Sequence, residues 1–302
     1  MTAPHTRESD CWSAIARHLG ETRAEPFQAI ERHAIGGGCI NSTWRIEGCG
    51  QRYFVKLNEP DKLSMFEAEA EGLRDLACHG SLRVPTPLCG GVTEQHAYLV
   101  LEYLDLFSPT SLSWEALGRG LADQHRHTQS RFGWQRDNTI GSTPQINLWR
   151  DDWIGFWREQ RLGVQLKLAH RNGYQGLLQE NGEKLLNLLE SFFPGYQPAA
   201  SLLHGDLWSG NCGADKDGNP VIFDPAVYYG DRECDLAMTE LFGVFPPRFY
   251  AAYRESYPLD PGYSVRKTLY NLYHILNHAN MFGGGYAAQA ERMMERLLSE
   301  IK

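Results

Sequence analysis

Over the first hundred residues apolar and polar positions alternate in short runs. Over most of the remainder they recur at three- and four-residue spacing. Residues 13–19 read as a short helix and 29–35 as a strand that runs into Gly36-Gly37-Gly38. A second strand at 42–46 and a third at 52–57 flank a Gly48-Cys49-Gly50 turn, so the pattern predicts a hairpin tipped by glycine followed by another strand. Across 65–79, Phe66, Ala70, Leu73 and Leu76 fall in one stripe at about 100° per residue, the signature of an amphipathic helix. Val84-Pro85-Thr86-Pro87 is an extended connector. Residues 98–101 then form a buried strand ending at Glu102-Tyr103-Leu104.

From about residue 106 the pattern becomes mostly helical, with segments around 114–125, 149–168, 182–192, 247–257 and 265–281. A different stretch, 201–225, interrupts them with short apolar runs and turn residues. The expected architecture is α+β: a small β-rich N-terminal lobe (1–104), a hinge near 102–106 and a larger helical lobe (105–302).

Composition narrows the function. Hydrophobic residues make up 42% and charged residues 22% of the 302, enough apolar surface for a sizeable core. A net charge of −8 argues against a nucleic-acid partner, which needs a basic face. The first 21 residues lack the basic start and apolar centre of a signal peptide, and no apolar run approaches the roughly 20 residues that span a bilayer. A soluble, cytoplasmic protein without a membrane partner is expected. Seven cysteines, with no CxxC pair, predict free thiols rather than a disulfide or zinc framework.

The chemistry concentrates in Leu203-His204-Gly205-Asp206-Leu207-Trp208-Ser209-Gly210-Asn211, followed by Val221-Ile222-Phe223-Asp224-Pro225. Phosphoryl transfer needs a carboxylate to accept the proton of the attacking hydroxyl and oxygen ligands for Mg²⁺. A loop carrying Asp206 and Asn211, joined to Asp224 at the end of a strand, supplies those three groups. Either half alone would pass as an ordinary turn; their spacing together does not. Lys56 on the third strand can reach nucleotide phosphates if an acid holds it. On the helical wheel Glu69 lies inside the apolar stripe, between Leu73 and Leu76, whereas Glu67 and Glu71 point away. A carboxylate on a buried face requires a partner, and Lys56 is the obvious one. The glycines Gly36, Gly37 and Gly38 allow backbone N–H groups to approach phosphates.

These features resemble the aminoglycoside-phosphotransferase and choline-kinase branch of the protein-kinase-like fold, and within it most specifically the fructosamine (ketosamine) kinases. The specific marks are Gly36 to Asn41, Phe66 to Ala70, Pro144-Gln145-Ile146-Asn147, Leu203 to Asn211, Asp224-Pro225-Ala226 and Tyr229 to Met238. The resemblance implies a two-lobed fold and ATP- and Mg²⁺-dependent transfer to the 3-hydroxyl of a ketosamine or other glycated amine. By position it implies Asp206 as catalytic base, Asn211 and Asp224 as metal ligands, Lys56 on phosphate, Glu69 as its anchor and the adenine near Glu102, Tyr103 and Leu104. Asp-Pro-Ala replaces the Asp-Phe-Gly of protein kinases, and no Ala-Pro-Glu-like activation segment follows.

Trp208, two residues beyond the base, offers an aromatic face for a sugar or a cationic amine. The acidic group Asp231, Glu233 and Asp235 could draw the amine, with Asp231 the substrate-binding candidate or equally a structural hydrogen-bonding group, and Asp235 a candidate cap for the helix starting at Leu236. Cys39, beside backbone N–H groups that stabilise thiolate, is a possible redox handle that would make the protein a monomer or a thiol-dependent dimer. The same catalytic residues would also serve an aminoglycoside- or choline-type kinase. A non-catalytic nucleotide-binding module is disfavoured because Lys56, Asp206 and Asp224 are all present.

Overall fold

The computed structural model describes residues 5–36 and 40–301, with side chains from Cys11 onward. Gly37, Gly38 and Cys39, and with them most of the glycine-rich loop and the candidate redox thiol, lie outside the described residues.

The N-terminal part is a five-stranded antiparallel sheet between two helices. Its strands are β1 (Glu31–Ile35), β2 (Ser42–Gly48), β3 (Gln51–Asn58), β4 (Pro87–Val92) and β5 (Ala97–Glu102), in the order β1-β2-β3-β5-β4. Period-two alternation sorts the side chains onto two faces. Tyr53, Val55, Leu57, Tyr98 and Val100 pack with Trp12, Ile15 and Leu19 of helix α1 (His5–Arg23). Leu99 and Leu101 point the other way and join Phe66, Leu73 and Leu76 of helix α2 (Leu63–His79). Lys56 pairs with Leu99 across the ladder and falls between Val55 and Leu57, which sends its side chain to the α2 face. Strand β4, which begins where the sequence reads as a proline connector, is the one strand of this sheet that the pattern does not announce. The β2–β3 turn is made by Cys49 and Gly50, both at positive φ (52° and 72°).

The remainder is mainly helical. Helix α3 (Ser111–Gln124) opens on a capping box in which Thr110 accepts from Ser113 N–H and the Ser113 hydroxyl accepts from Thr110 N–H. Short strands β6 (Thr128–Gln129), β7 (Asn138–Ile140) and β8 (Thr143–Gln145) precede a continuous run of helix. That run comprises α4 (Trp153–Phe156), a π-helical turn (Trp157–Leu162) and α5 (Gly163–Arg171). Helix α6 (Leu177–Asn187) follows, then β9 (Ala200–Leu203), the hairpin β10 (Cys212–Ala214) and β11 (Pro220–Ile222), and β12 (Tyr228–Gly230). The chain finishes through α7 (Glu233–Thr239), α8 (Pro247–Ser256), α9 (Tyr263–Phe282) and α10 (Tyr286–Glu300). Trp153, Phe156, Trp157 and Tyr270 form the aromatic centre of this part, continuous with the α2 face of the sheet. Among the described residues no helix is long and apolar enough to cross a membrane.

Candidate active site

Strand β9 delivers the chain to His204 with its backbone already committed. Leu203 pairs with Tyr228, and His204 C=O accepts the Ala226 N–H at 2.8 Å. At Gly205 the chain turns through φ = 81°, and a Cβ there would stand 2.0 Å from the Ala226 carbonyl oxygen, so only glycine fits. Asp206 follows. Asn211 Nδ2 donates to the Asp206 carbonyl at 2.9 Å and to its Oδ2 at 3.1 Å, which draws the loop into a compact ring. The β10–β11 hairpin then returns the chain so that Phe223 N–H meets the Asn211 carbonyl at 3.0 Å, setting Asp224 beside Asp206 and Asn211.

Asp224 adopts φ = 54°, a left-handed conformation uncommon for a residue with a side chain and the sort of local strain that gathers at functional sites. Its carboxylate pairs with Lys56 Nζ, which also donates to Glu69 Oε1 at 2.7 Å. The Lys56–Glu69 pair expected from the helical wheel is therefore present, and Lys56 is 3% exposed. Burial alone would depress the Lys56 ammonium, but Asp224 and Glu69 outweigh it and hold its pKa above the ordinary lysine value. Desolvation raises Glu69, and the Asp224 charge adds to the rise against the opposing pull of Lys56. Burial, reinforced by the Asp224 charge and opposed by the Asn211 amide, raises the Asp206 carboxyl to about 7.

Two groups to which the sequence assigns no such role hold this loop. His204 Nδ1 accepts the Asp206 N–H at 3.2 Å, while Nε2–H donates to the Phe223 carbonyl at 2.9 Å. One neutral imidazole thus staples the Asp206 loop to the Asp224 strand, and burial lowers its pKa and favours that neutral form. Asp235, 1% exposed, accepts the N–H groups of His204 (2.7 Å) and Gly205 (2.8 Å) and a third bond from His125 Nε2 (3.1 Å). Asp235 does not cap α7: it occupies the third helical position and spends both oxygens on the loop. The signal in the sequence was the Asp231–Asp235 acidic group, but which acid faced the loop depends on how α7 packs.

Of the two readings of Asp231, the contacts present are those of structural hydrogen bonding. Asp231 is fully buried and already accepts from Tyr196 Oη at 2.9 Å, Glu233 N–H at 3.0 Å and Tyr270 Oη. Enclosed by these three donors and fully buried, its carboxylate presents no exposed face to a substrate amine. Glu233 is likewise buried, paired with Arg266 at 2.7 and 3.0 Å. Trp208 is half-buried, its ring lying over Gly210, where a Cβ would be 2.3 Å from the indole. At the hinge the Glu102 carboxylate is occupied by Arg83 and by the Thr86 N–H (3.2 Å), Tyr103 lies beneath the Arg52 guanidinium at 5.0 Å, and Leu104 is half-buried. Gly36, the one glycine of the triplet that is described, is exposed with nothing within 4 Å of a Cβ position.

For a divalent cation the donor set is hard oxygen. Asn211 turns its Nδ2 toward Asp206, which leaves the amide Oδ1 available, and the Asp224 side chain is 48% exposed. Such a pair fits Mg²⁺.

The family model for fructosamine kinase matches residues 11–300. A relative named "Probable ketoamine kinase" from Synechocystis is 48% identical across 95% of this chain and 97% of its own. A chloroplastic protein-ribulosamine 3-kinase of Arabidopsis thaliana is 40% identical over 93% of this chain and 86% of its own length. The crystal structure of a candidate fructosamine-3-kinase from Haemophilus somnus superposes with a TM-score of 0.88 at 32% identity, covering 95% of this chain and 97% of that one. An aminoglycoside phosphotransferase in its ADP-bound form shares the fold alone, with a TM-score of 0.63 at 14% identity over 94% of this chain and 98% of that one. The fold is thus the protein-kinase-like one, with its sheet toward the N-terminus and its helices beyond, and the chain belongs to the fructosamine kinase family.

Proposed function

We propose that this protein transfers the γ-phosphate of ATP to the 3-hydroxyl of a ketosamine, a sugar rearranged onto an amine. The observation that carries the reading is the convergence of Lys56, Glu69, Asp206, Asn211 and Asp224 on one site within a chain of this family. The printed activities of its relatives, ketoamine kinase and protein-ribulosamine 3-kinase, support the acceptor class.

The lobes divide the work, residues 1–104 binding nucleotide and 105–302 carrying the catalytic loop and the acceptor. Lys56, kept charged by its two carboxylates, binds the phosphates, and Gly36, Gly37 and Gly38 are assigned to the same nucleotide. The backbone of Glu102 to Leu104 receives the adenine. Asn211 and Asp224 hold Mg²⁺, which when bound neutralises phosphate charge. Asp206 accepts the proton of the acceptor hydroxyl as its oxygen bonds to the γ-phosphorus and the bond from that phosphorus to the ADP oxygen breaks. His204 and Asp235 keep Asp206 in position through its backbone, and the Trp208 ring stacks on the sugar. Such a reaction leaves the sugar bonded to its amine but turns the 3-hydroxyl into a phosphate leaving group, the first step of a deglycation role suited to the cytoplasm.

The test is a set of initial rates under saturating Mg-ATP on a fructosyl amine, fructose, kanamycin and choline. The fructosyl amine is expected to be the best acceptor. A faster rate with kanamycin or choline would replace the acceptor class, and no rate with any of them would remove the catalytic reading.

A further inference from the structure

Glu67, Glu71 and Asp75 follow one another at four-residue intervals on α2, so they form one acidic stripe on the side of the helix opposite Glu69. The ordinary expectation for such a stripe is solvation. Instead, three consecutive residues from far along the chain take all three carboxylates. Trp134 Nε1 donates to Asp75 at 2.8 Å and Gln135 Nε2 to Glu71 at 3.3 Å. Arg136 spans the helix, reaching Glu71 at 2.8 Å, Glu67 at 3.2 Å and the Ser64 carbonyl at 3.3 Å.

The strap that carries these residues is fixed at its other end to the segment following Asp224. Asn147 Nδ2 donates to the Arg136 carbonyl at 3.1 Å and to Asn138 Oδ1 at 2.9 Å. Asn138 in turn donates to the Val227 carbonyl at 2.8 Å, and Gln145 Nε2 to the Ala226 carbonyl at 3.1 Å. Arg161, fully buried at the π-helical turn, secures the strap through Ile146 C=O (2.6 Å) and Asn147 Oδ1 (2.7 Å). Val227 itself packs on α2 at Gly72, where a Cβ would lie 2.9 Å from its methyl group. One hydrogen-bonded network therefore grips the outer face of α2 and the Asp224–Val227 segment together.

We infer that Arg136 is a positioning residue for phosphoryl transfer: through this strap it fixes α2, and so Glu69 and Lys56, relative to Asp224. The inference rests on the roles proposed above for Lys56 and Glu69. The exposure of the groups decides between positioning and plain stabilisation. The Arg136, Glu67 and Glu71 side chains are 27%, 52% and 36% exposed, and ion pairs that open to water add little to fold stability. A reaction that depends almost wholly on positioning and charge placement is, in contrast, sensitive to a small shift of one helix.

The experiment measures kcat and KM for Mg-ATP, with Tm, on the wild type, Glu69→Gln, Arg136→Gln, Arg136→Lys and the Glu69→Gln/Arg136→Gln double variant. Arg136→Gln is expected to lower kcat/KM for ATP on the order of tenfold while Tm moves by less than about 3 °C. Arg136→Lys, which keeps one contact to Glu71, recovers part of the loss, and the double variant is no worse than Glu69→Gln alone. Wild-type kcat/KM in Arg136→Gln beside an impaired Glu69→Gln overturns the inference and leaves the proposed function intact. A loss that follows Tm and multiplies with Glu69→Gln also overturns it, because that is the behaviour of a residue serving only the fold. A neutral Glu69→Gln would remove the Lys56–Glu69 reading itself, and this inference with it.

Discussion

Asp235 accepts the backbone N–H of Gly205 at 2.8 Å, so a buried carboxylate thirty residues further along the chain holds the peptide immediately before Asp206. Its other oxygen takes the His204 N–H at 2.7 Å. Asp235→Asn keeps the shape but offers one acceptor where there were two, and turns an NH₂ toward a backbone donor. Leaving a buried N–H without an acceptor costs about 1–3 kcal/mol. The variant is expected to unfold at lower denaturant concentration and to lose kcat, because the loop under Asp206 is no longer held on both sides. Denaturant titration with initial rates checks this, and wild-type stability would contradict it.

His274, buried in α9, gives a pH prediction. Burial, helped by the charge of His278, lowers its pKa from 6.5 to about 3. Below 6.5 the unfolded chain binds a proton at this ring that the folded chain refuses, so stability falls as pH falls, by about 1.4 kcal/mol per unit in that window. The contribution is intact above the unfolded value and fully lost only near the folded one. Between pH 7 and pH 5, His274→Gln should therefore gain about 2 kcal/mol relative to wild type. Paired denaturant curves at the two pH values measure the difference, and parallel curves would show that His274 charges freely in the folded state.

Lys56→Met would strand Glu69 as a buried carboxylate without its cation, and Glu69→Gln would remove the matching charge. Because the two groups bond at 2.7 Å, their effects on kcat/KM for ATP should be non-additive, with an interaction energy of about 1 kcal/mol or more. A double-mutant cycle measures it, and strictly additive losses would deny the pairing a role in catalysis.

For Asp231 the expectation is now structural. Asp231→Asn removes an acceptor from among Tyr196, Tyr270 and the Glu233 N–H and should lower stability by about 1–3 kcal/mol. The ratio of kcat/KM for a fructosyl amine to that for fructose should stay within about twofold of wild type, since uniform losses leave acceptor discrimination alone. A selective fall with the fructosyl amine would return Asp231 to the acceptor site.

Local chemistry made much of the site legible. The apolar stripe of α2 identified Glu69 as the acid needing a cation, and the alternation of β3 turned Lys56 toward it. The Asp206, Asn211 and Asp224 cluster follows from a short loop and a hairpin, both near in sequence. What escaped depends on distant packing. Asp231 and Asp235 are four residues apart and look alike in sequence, yet one is enclosed by tyrosines and the other by the Asp206 loop, a difference set by the docking of α7. Glu67 and Glu71 read as solvated because the wheel points them outward, and only the fold brings Arg136 across to them. Helix α10 carries a stripe of the same kind, Ala290, Met294 and Leu297 with Met293 and Leu298 beside it, and the helical segments expected from the pattern stop short of it at 281.

The central claim is transfer of phosphate from ATP to a ketosamine hydroxyl with Asp206 as base. The most direct measurement is ketosamine-dependent ADP formation by the wild type and by Asp206→Asn, with Mg-ATP binding measured on both. An amide cannot accept the hydroxyl proton, so kcat should fall on the order of 10²–10⁴-fold while ATP binds as before. More than half the wild-type kcat in Asp206→Asn, or no ketosamine-dependent ADP formation by the wild type, would contradict the account.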